Sequence, residues 1–155
     1  MRRTPTGRYW PLRSVADPAI PGWALDLLRA SRAGHLATAS AAAEPHVIPV
    51  CFALVDAALY IAIDEKPKSG RRLLRLRNIE ATGKAALVVD HYAEDWNQLA
   101  WVLARGPARV ITPAEPHHAL ALTALRAKYP QYRAMALEDA EMIELRPDRW
   151  SVWRA

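Results

Sequence analysis

From His35 onward the chain breaks into short runs rich in β-branched and aromatic residues, each closed by a turn signal. This pattern limits it to a sheet of mostly adjacent strands. His35-Leu36-Ala37-Thr38-Ala39-Ser40 and His46-Val47-Ile48-Pro49-Val50-Cys51-Phe52-Ala53-Leu54 read as strands separated by Ala42 to Pro45, and a hairpin is the economical way to join them. Val55-Asp56-Ala57 then turns into Leu59-Tyr60-Ile61-Ala62-Ile63, a third strand, so the series is an antiparallel meander. Ala85 to Asp90 gives a fourth strand. Leu99 to Ile111 contains a long fifth, with a bulge or bend expected at Gly106-Pro107, and Met142 to Arg146 restores alternation as a sixth.

Helical patterns lie between these runs. Pro21 suits a first helical turn, and Trp23, Leu27 and Ala30 recur at helical spacing before Gly34 stops the pattern. Ser69 or Gly70 is expected to cap a second helix running through Ile79, with Leu73, Leu76 and Ile79 on an apolar stripe and Arg71, Arg75 and Asn78 on a polar one. A third helix runs from Ala114 to Lys128 and ends at Tyr129-Pro130. Six mainly antiparallel strands with inserted helices favour a closed or partly closed barrel, which protects strand edges. The expected division is an N-terminal arm and helix over residues 1–33 and a barrel over 34–155, one domain in all. The arm from Arg2 to Pro18 is expected to pack through Tyr9, Trp10 or Leu12.

The 155 residues carry a formal charge of +5, and no run approaches the roughly 18 uninterrupted apolar residues of a membrane span. Met1-Arg2-Arg3 leads into Thr4 and Pro5 and not into an apolar signal core, so a cytoplasmic location is expected. Cys51 is the single cysteine, which excludes an internal disulfide and a thiolate-rich metal site. His117 and His118 are adjacent and point to different helix faces, so they do not form a zinc pair. No Gly-rich dinucleotide fingerprint, phosphate loop or serine elbow is present.

The positive charge is local. Lys66, Lys68, Arg71, Arg72, Arg75 and Arg77 fall within a dozen residues, after a strand and at the opening of a helix. A helix start with arginine forks is suited to a phosphate, although the same residues also describe a solvated basic helix pairing with Glu80. Pro49-Val50-Cys51-Phe52 reads either as ordinary core or as the wall of a planar heterocycle's pocket, with Cys51 closer to a core residue than to a nucleophile. Asp90 to Trp96 is polar and aromatic. It offers His91, Tyr92 and Asp95 as acid–base candidates, against a plain structural loop.

Taken in order, His35 to Ser40, Pro45 to Phe52, Leu59-Tyr60, Lys66-Pro67-Lys68, Arg77-Asn78-Ile79-Glu80, Val88 to Tyr92, Glu94-Asp95-Trp96, Lys128 to Arg133 and Trp150 resemble the pyridoxamine-phosphate-oxidase-like split barrels. Within these, the set is most similar to the deazaflavin (coenzyme F420)-dependent oxidoreductases of actinobacteria. The resemblance implies a six-stranded antiparallel split β-barrel and a homodimer with cofactor sites at the subunit interface. It implies that Val47, Ile48, Pro49, Val50, Cys51 and Phe52 line the ring, that Ala62 and Ile63 pass the ribityl chain, and that Arg75 meets the phosphate. Lys66, Lys68, Arg71, Arg72, Arg77 and Asn78 are further phosphate or tail contacts, and Trp101 and Trp153 reach the ring edge from the other subunit.

The chain departs from the resemblance in two places. Ala42-Ala43-Glu44 replaces the Asp-Gly common in the first turn. Glu65 to Arg72 is longer than in pyridoxamine-phosphate oxidases themselves, and the segment after Trp153 lacks their substrate-binding arginine and histidine, so pyridoxamine phosphate is not the expected substrate. The expected function is hydride transfer between F420 and a small electron-poor organic substrate. The alternatives are an FMN enzyme or a carrier or sensor that holds flavin, deazaflavin or haem. Nucleic-acid binding is not expected, because the charges are local and not interleaved with aromatic residues.

Overall fold

The computed structural model describes residues 14–15, 20–64 and 70–155. It contains nine strands: β1 (Ser14–Val15), β2 (Gly34–Ala39), β3 (Pro45–Val50), β4 (Ala53–Val55), β5 (Ala58–Ala62), β6 (Lys84–His91), β7 (Ala100–Ile111), β8 (Met142–Leu145) and β9 (Arg149–Arg154). Three helices join them: α1 (Gly22–Ala30), α2 (Leu74–Thr82) and α3 (Pro116–Lys128). The strand order is β3-β2-β6-β7-β8-β5-β4, with β9 added on β7 and β1 on β9, and every pairing is antiparallel. The order ends at β3 and β4, and no pairing joins those two among the described residues, so the sheet is open.

Nine strands stand where six were expected. The second expected strand is broken at Cys51-Phe52 into β3 and β4, and Arg149–Arg154 and Ser14–Val15 add two more. Apart from Ser14–Val15, the N-terminal arm, with its expected packing through Tyr9, Trp10 or Leu12, lies outside the described residues.

The expected bend in the long strand is a change of partners. β7 is continuous, but Ala100 to Arg105 pair with β9 while Ala108 to Ile111 pair with β8. Gly106 sits at the changeover, where an added Cβ would lie 2.5 Å from the Arg146 carbonyl and 2.7 Å from the Asp148 amide. No larger residue fits that approach without moving backbone. In the first hairpin the Ser40 hydroxyl accepts from the Ala42 and Glu44 amides, each at 3.2 Å, and Ala43 takes φ 62°. A serine-organised turn thus does the work of the missing Asp-Gly.

The inner sheet face packs on α1 and α2 through Ala24, Leu28, Leu36, Leu76, Ile79, Leu87, Val102 and Trp150. A second cluster lies under α3, where Ala121, Leu122 and Leu125 meet Tyr60, Ile111 and Met142. At its edge, Glu144 is almost fully buried and accepts from Tyr60 (2.8 Å), Arg109 (2.7 Å) and Arg146 (2.8 Å). Burial would raise this carboxyl, but Arg146, Tyr60 and Arg109 together hold it below its ordinary value.

The outward face of β3, β2, β6, β7 and β9 carries a second apolar surface. Register aligns Pro49, His35, Val88 and Leu103 in one row and Val47, Ala37 and Ala86 in the next, while Trp101 faces Trp153 across β7 and β9. Val47 is 60% exposed.

Candidate functional site

A cavity of about 430 Å³ opens where the end of β3, the end of β5 and the start of α2 converge. Ile48, Pro49, Val50 and Cys51 form one wall, Ile61, Ala62 and Asp64 another, and Arg75, Ala33 and Tyr132 complete it. β3 ends the strand order, which is where a proline's missing donor is tolerated. The strand then breaks at Cys51-Phe52, and the break is secured from α3. The Tyr129 hydroxyl accepts from the Phe52 amide at 3.1 Å and lies 3.0 Å from the carbonyls of Phe52 and Arg32, to one of which it donates. Next to it, the Lys128 ammonium sits 3.9 Å from the centre of the Phe52 ring and donates to the Leu28 carbonyl at 3.1 Å. Burial, with the nearby Arg32 charge, pushes this lysine down to about 8.

Arg75 is the one cation lining the cavity among the described residues. It stands at the second position of α2, whose first turn receives no side-chain cap, and its Nε is buried without a hydrogen-bond partner. An unmatched guanidinium donor beside an uncapped helix start is a fit for a phosphate group. The polar rim comes from Tyr132, which donates to Asp64 at 3.0 Å. Burial, together with the Asp64 charge, raises the Tyr132 phenol, so it stays a proton-bearing donor at neutral pH, while Asp64 is an exposed acceptor. Apolar walls, one cation and a hydroxyl–carboxylate rim suit a flat heterocycle carrying a polyol and a phosphate.

The cavity therefore brings together Ile48, Pro49, Val50, Cys51, Ala62 and Arg75 of the expected site residues. It does not include the others. Val47 points outward, Phe52 is fully buried in the core and Ile63 packs against the core. Lys66 and Lys68 lie outside the described residues, as does Ser69, one of the two expected caps. The helix starts at Leu74, later than expected, which leaves Arg71 and Arg72 before it.

Arg72 binds Glu80 and Glu141 and lines a different hollow. Arg71 and Arg77 are exposed, and Asn78 is buried, donating to Thr38 at 3.0 Å. Trp101 and Trp153 sit on the outward face. Of the acid–base candidates, Asp95 accepts from the Asn97 amide and from the Asn97 and Gln98 side chains, which hold it below its ordinary value. His91 and Tyr92 are exposed, and none of the three lines the cavity. Asp64 and Tyr132 were not anticipated as site residues. Only the Tyr-Pro-Gln-Tyr run at Tyr129 to Tyr132 marked that region, and nothing in its spacing assigned it to a pocket.

An open antiparallel barrel split into two sheets by a partner-switching central strand, with a cavity at its edge strand, defines the class: a split barrel. The chain belongs to the pyridoxamine 5'-phosphate oxidase family, whose model matches residues 23–154. Solved structures share the fold at low identity. A conserved hypothetical protein from Mycobacterium tuberculosis superposes with TM-score 0.65 at 17% identity, covering 88% of this chain and 86% of that one. A heme binding protein from Mycobacterium smegmatis gives 0.64 at 19%, covering 87% of this chain and 55% of that one. An FAD-binding protein from Mesorhizobium loti gives 0.62 at 20%, covering 92% and 97%. A search of curated protein sequences found no match. Among the described residues no helix is long and apolar enough to cross a membrane.

Proposed function

We propose that the chain is an F420-dependent oxidoreductase acting on a small electron-poor organic substrate, working as a homodimer. The observation that carries this reading is the meeting of Ile48 to Cys51, Ala62 and the unmatched Arg75 donor in one cavity. Arg75 would hold the cofactor phosphate, Ala62 and the Tyr132–Asp64 pair would flank its polyol, and the wall from Ile48 to Cys51 would seat the ring. The bound deazaflavin would supply hydride transfer. The choice of deazaflavin over FMN rests on the sequence resemblance.

The protein's own contribution is positional. The Tyr129 stitch fixes the wall, and Arg75 anchors the far end of the cofactor. The apolar lining would keep bulk water from the ring, and the hydride step itself moves no proton, so no acid–base side chain is assigned to that step. The outward apolar face that holds Trp101 and Trp153 is the proposed dimer surface, through which the partner would complete each site.

A second reading, a flavin or haem carrier, is favoured by neighbours described as heme binding and FAD-binding. Among the described lining residues there is no histidine, and Cys51 is the one soft donor. Titration with F420, FMN and haem, followed by single-turnover oxidation of the reduced deazaflavin with enones and quinones, separates the readings. Binding with turnover supports the enzyme, and binding without turnover supports the carrier.

A further inference from the structure

At the opposite end of the β2–β3 hairpin lies a second hollow, of about 710 Å³, which shares no residue with the first. Its walls are the hairpin turn, the start of β6, the β7 changeover and the β8–β9 connection. Register places three cations on one face of three adjacent strands. Arg105 and Arg149 are direct cross-strand partners, and Lys84 stands two residues along β6 from Ala86, the residue opposite Arg105. Like charges directly opposite one another destabilise a sheet.

None of the three makes an ion pair with a described acid, although Asp148 lines the same hollow. Nor is Arg105 a free surface charge. It is half-buried, its Nη2 reaches the Ser151 hydroxyl at 3.4 Å, and its Nε is buried with no partner. The three charges are thus unmatched among the described residues.

We propose that this hollow is a second binding site, for a small molecule bearing at least two acidic oxygens, a phosphomonoester or a dicarboxylate. The Arg105 and Arg149 forks would each take an oxygen pair and Lys84 would add a point charge. The two hollows share no residue. Arg105 and Arg149 do stand on the same face of β7 and β9 as Trp101 and Trp153, so the proposal rests on this end of that face staying open in the dimer.

The test is calorimetric titration at constant ionic strength with inorganic phosphate and, separately, succinate. It is run on the full chain and on Arg75→Gln, which disables the phosphate position of the first cavity. Saturable binding should persist in Arg75→Gln, weaken about tenfold or more in Arg149→Gln, and recover only in part in Arg149→Lys, which restores the charge but not the fork. Tighter phosphate than succinate would assign a phosphomonoester, and the reverse a dicarboxylate. Arg149 is exposed, so its replacement tests the site without disturbing the core. Binding lost in Arg75→Gln but kept in Arg149→Gln would place the anion in the first cavity and overturn the proposal. No saturable binding of either anion would overturn it too, as expected if an acidic side chain of a second subunit already fills the hollow.

Discussion

Arg72 and Arg75 are three residues apart and have different roles. Arg72 precedes α2 and turns back to Glu80 and to Glu141, which is 69 residues further along, so its charge is already met. Arg75 lies within α2, lines the cavity and keeps an unmatched donor. Arg75→Ala should weaken cofactor binding by about 1.5 to 3 kcal/mol, the worth of a charge-assisted contact. Arg72→Ala should leave that affinity within about twofold and lower stability by less than about 1 kcal/mol, as for an exposed pair. Equilibrium titration and thermal melting of the two variants measure both. The sequence showed a cluster of six basic residues but not their sorting. That depends on where the helix begins and on an acid remote in the chain, and neither is set by local spacing.

At the scale of elements, the end of α3 holds the cavity wall through Lys128 and Tyr129. Lys128 has a folded value near 8, below that of a free lysine at about 10.4. Below about 8 it is protonated in both states and its burial counts fully against folding. Between about 8 and 10.4 the unfolded chain binds more protons, so stability rises with pH. Relative to Lys128→Met, the wild type should therefore gain stability between pH 7 and pH 10, by about 1 to 2 kcal/mol after allowance for partial exposure. Denaturant melts at the two pH values give the comparison.

Glu144 on β8 behaves in the opposite sense. Its depressed carboxyl contributes stability above the unfolded value near 4.3, and that contribution is lost as pH falls through the folded value. Glu144→Ala takes the partner from the buried Tyr60 hydroxyl and from Arg146, while Arg109 keeps Glu115, and should cost about 1 to 3 kcal/mol at pH 7, with the difference shrinking in acid. The strand at β3 was legible from its alternation. Its break at Cys51-Phe52 was not, because the residues that secure it, Lys128 and Tyr129, lie 77 positions away at the nearest hydrogen bond.

For the whole molecule, the hairpins β2–β3 and β4–β5 and the three helices could be read from periodicity because each has local contacts. The expected meander, by contrast, is broken, with β3 and β4 at opposite ends of the strand order. The strand Arg149–Arg154 was missed. It is short, follows Pro147-Asp148, and is defined by pairing with β7 on one side and β1 on the other. The outward face follows from register alone, and if it joins two subunits, Leu103→Arg at its centre should convert a dimer to a monomer in sedimentation. Far-UV circular dichroism should stay unchanged, and cofactor affinity should fall by about tenfold or more. A dimer that survives the change would remove that face from the interface.

The central claim is that Arg75 and the wall from Ile48 to Cys51 form a deazaflavin site, and absorbance titration of F420 into the wild type and Arg75→Ala tests it most directly. Saturable binding in the wild type, tighter than for FMN and weakened about tenfold or more in the variant, is the predicted result. No binding of F420, or equal affinity in the two proteins, would contradict it.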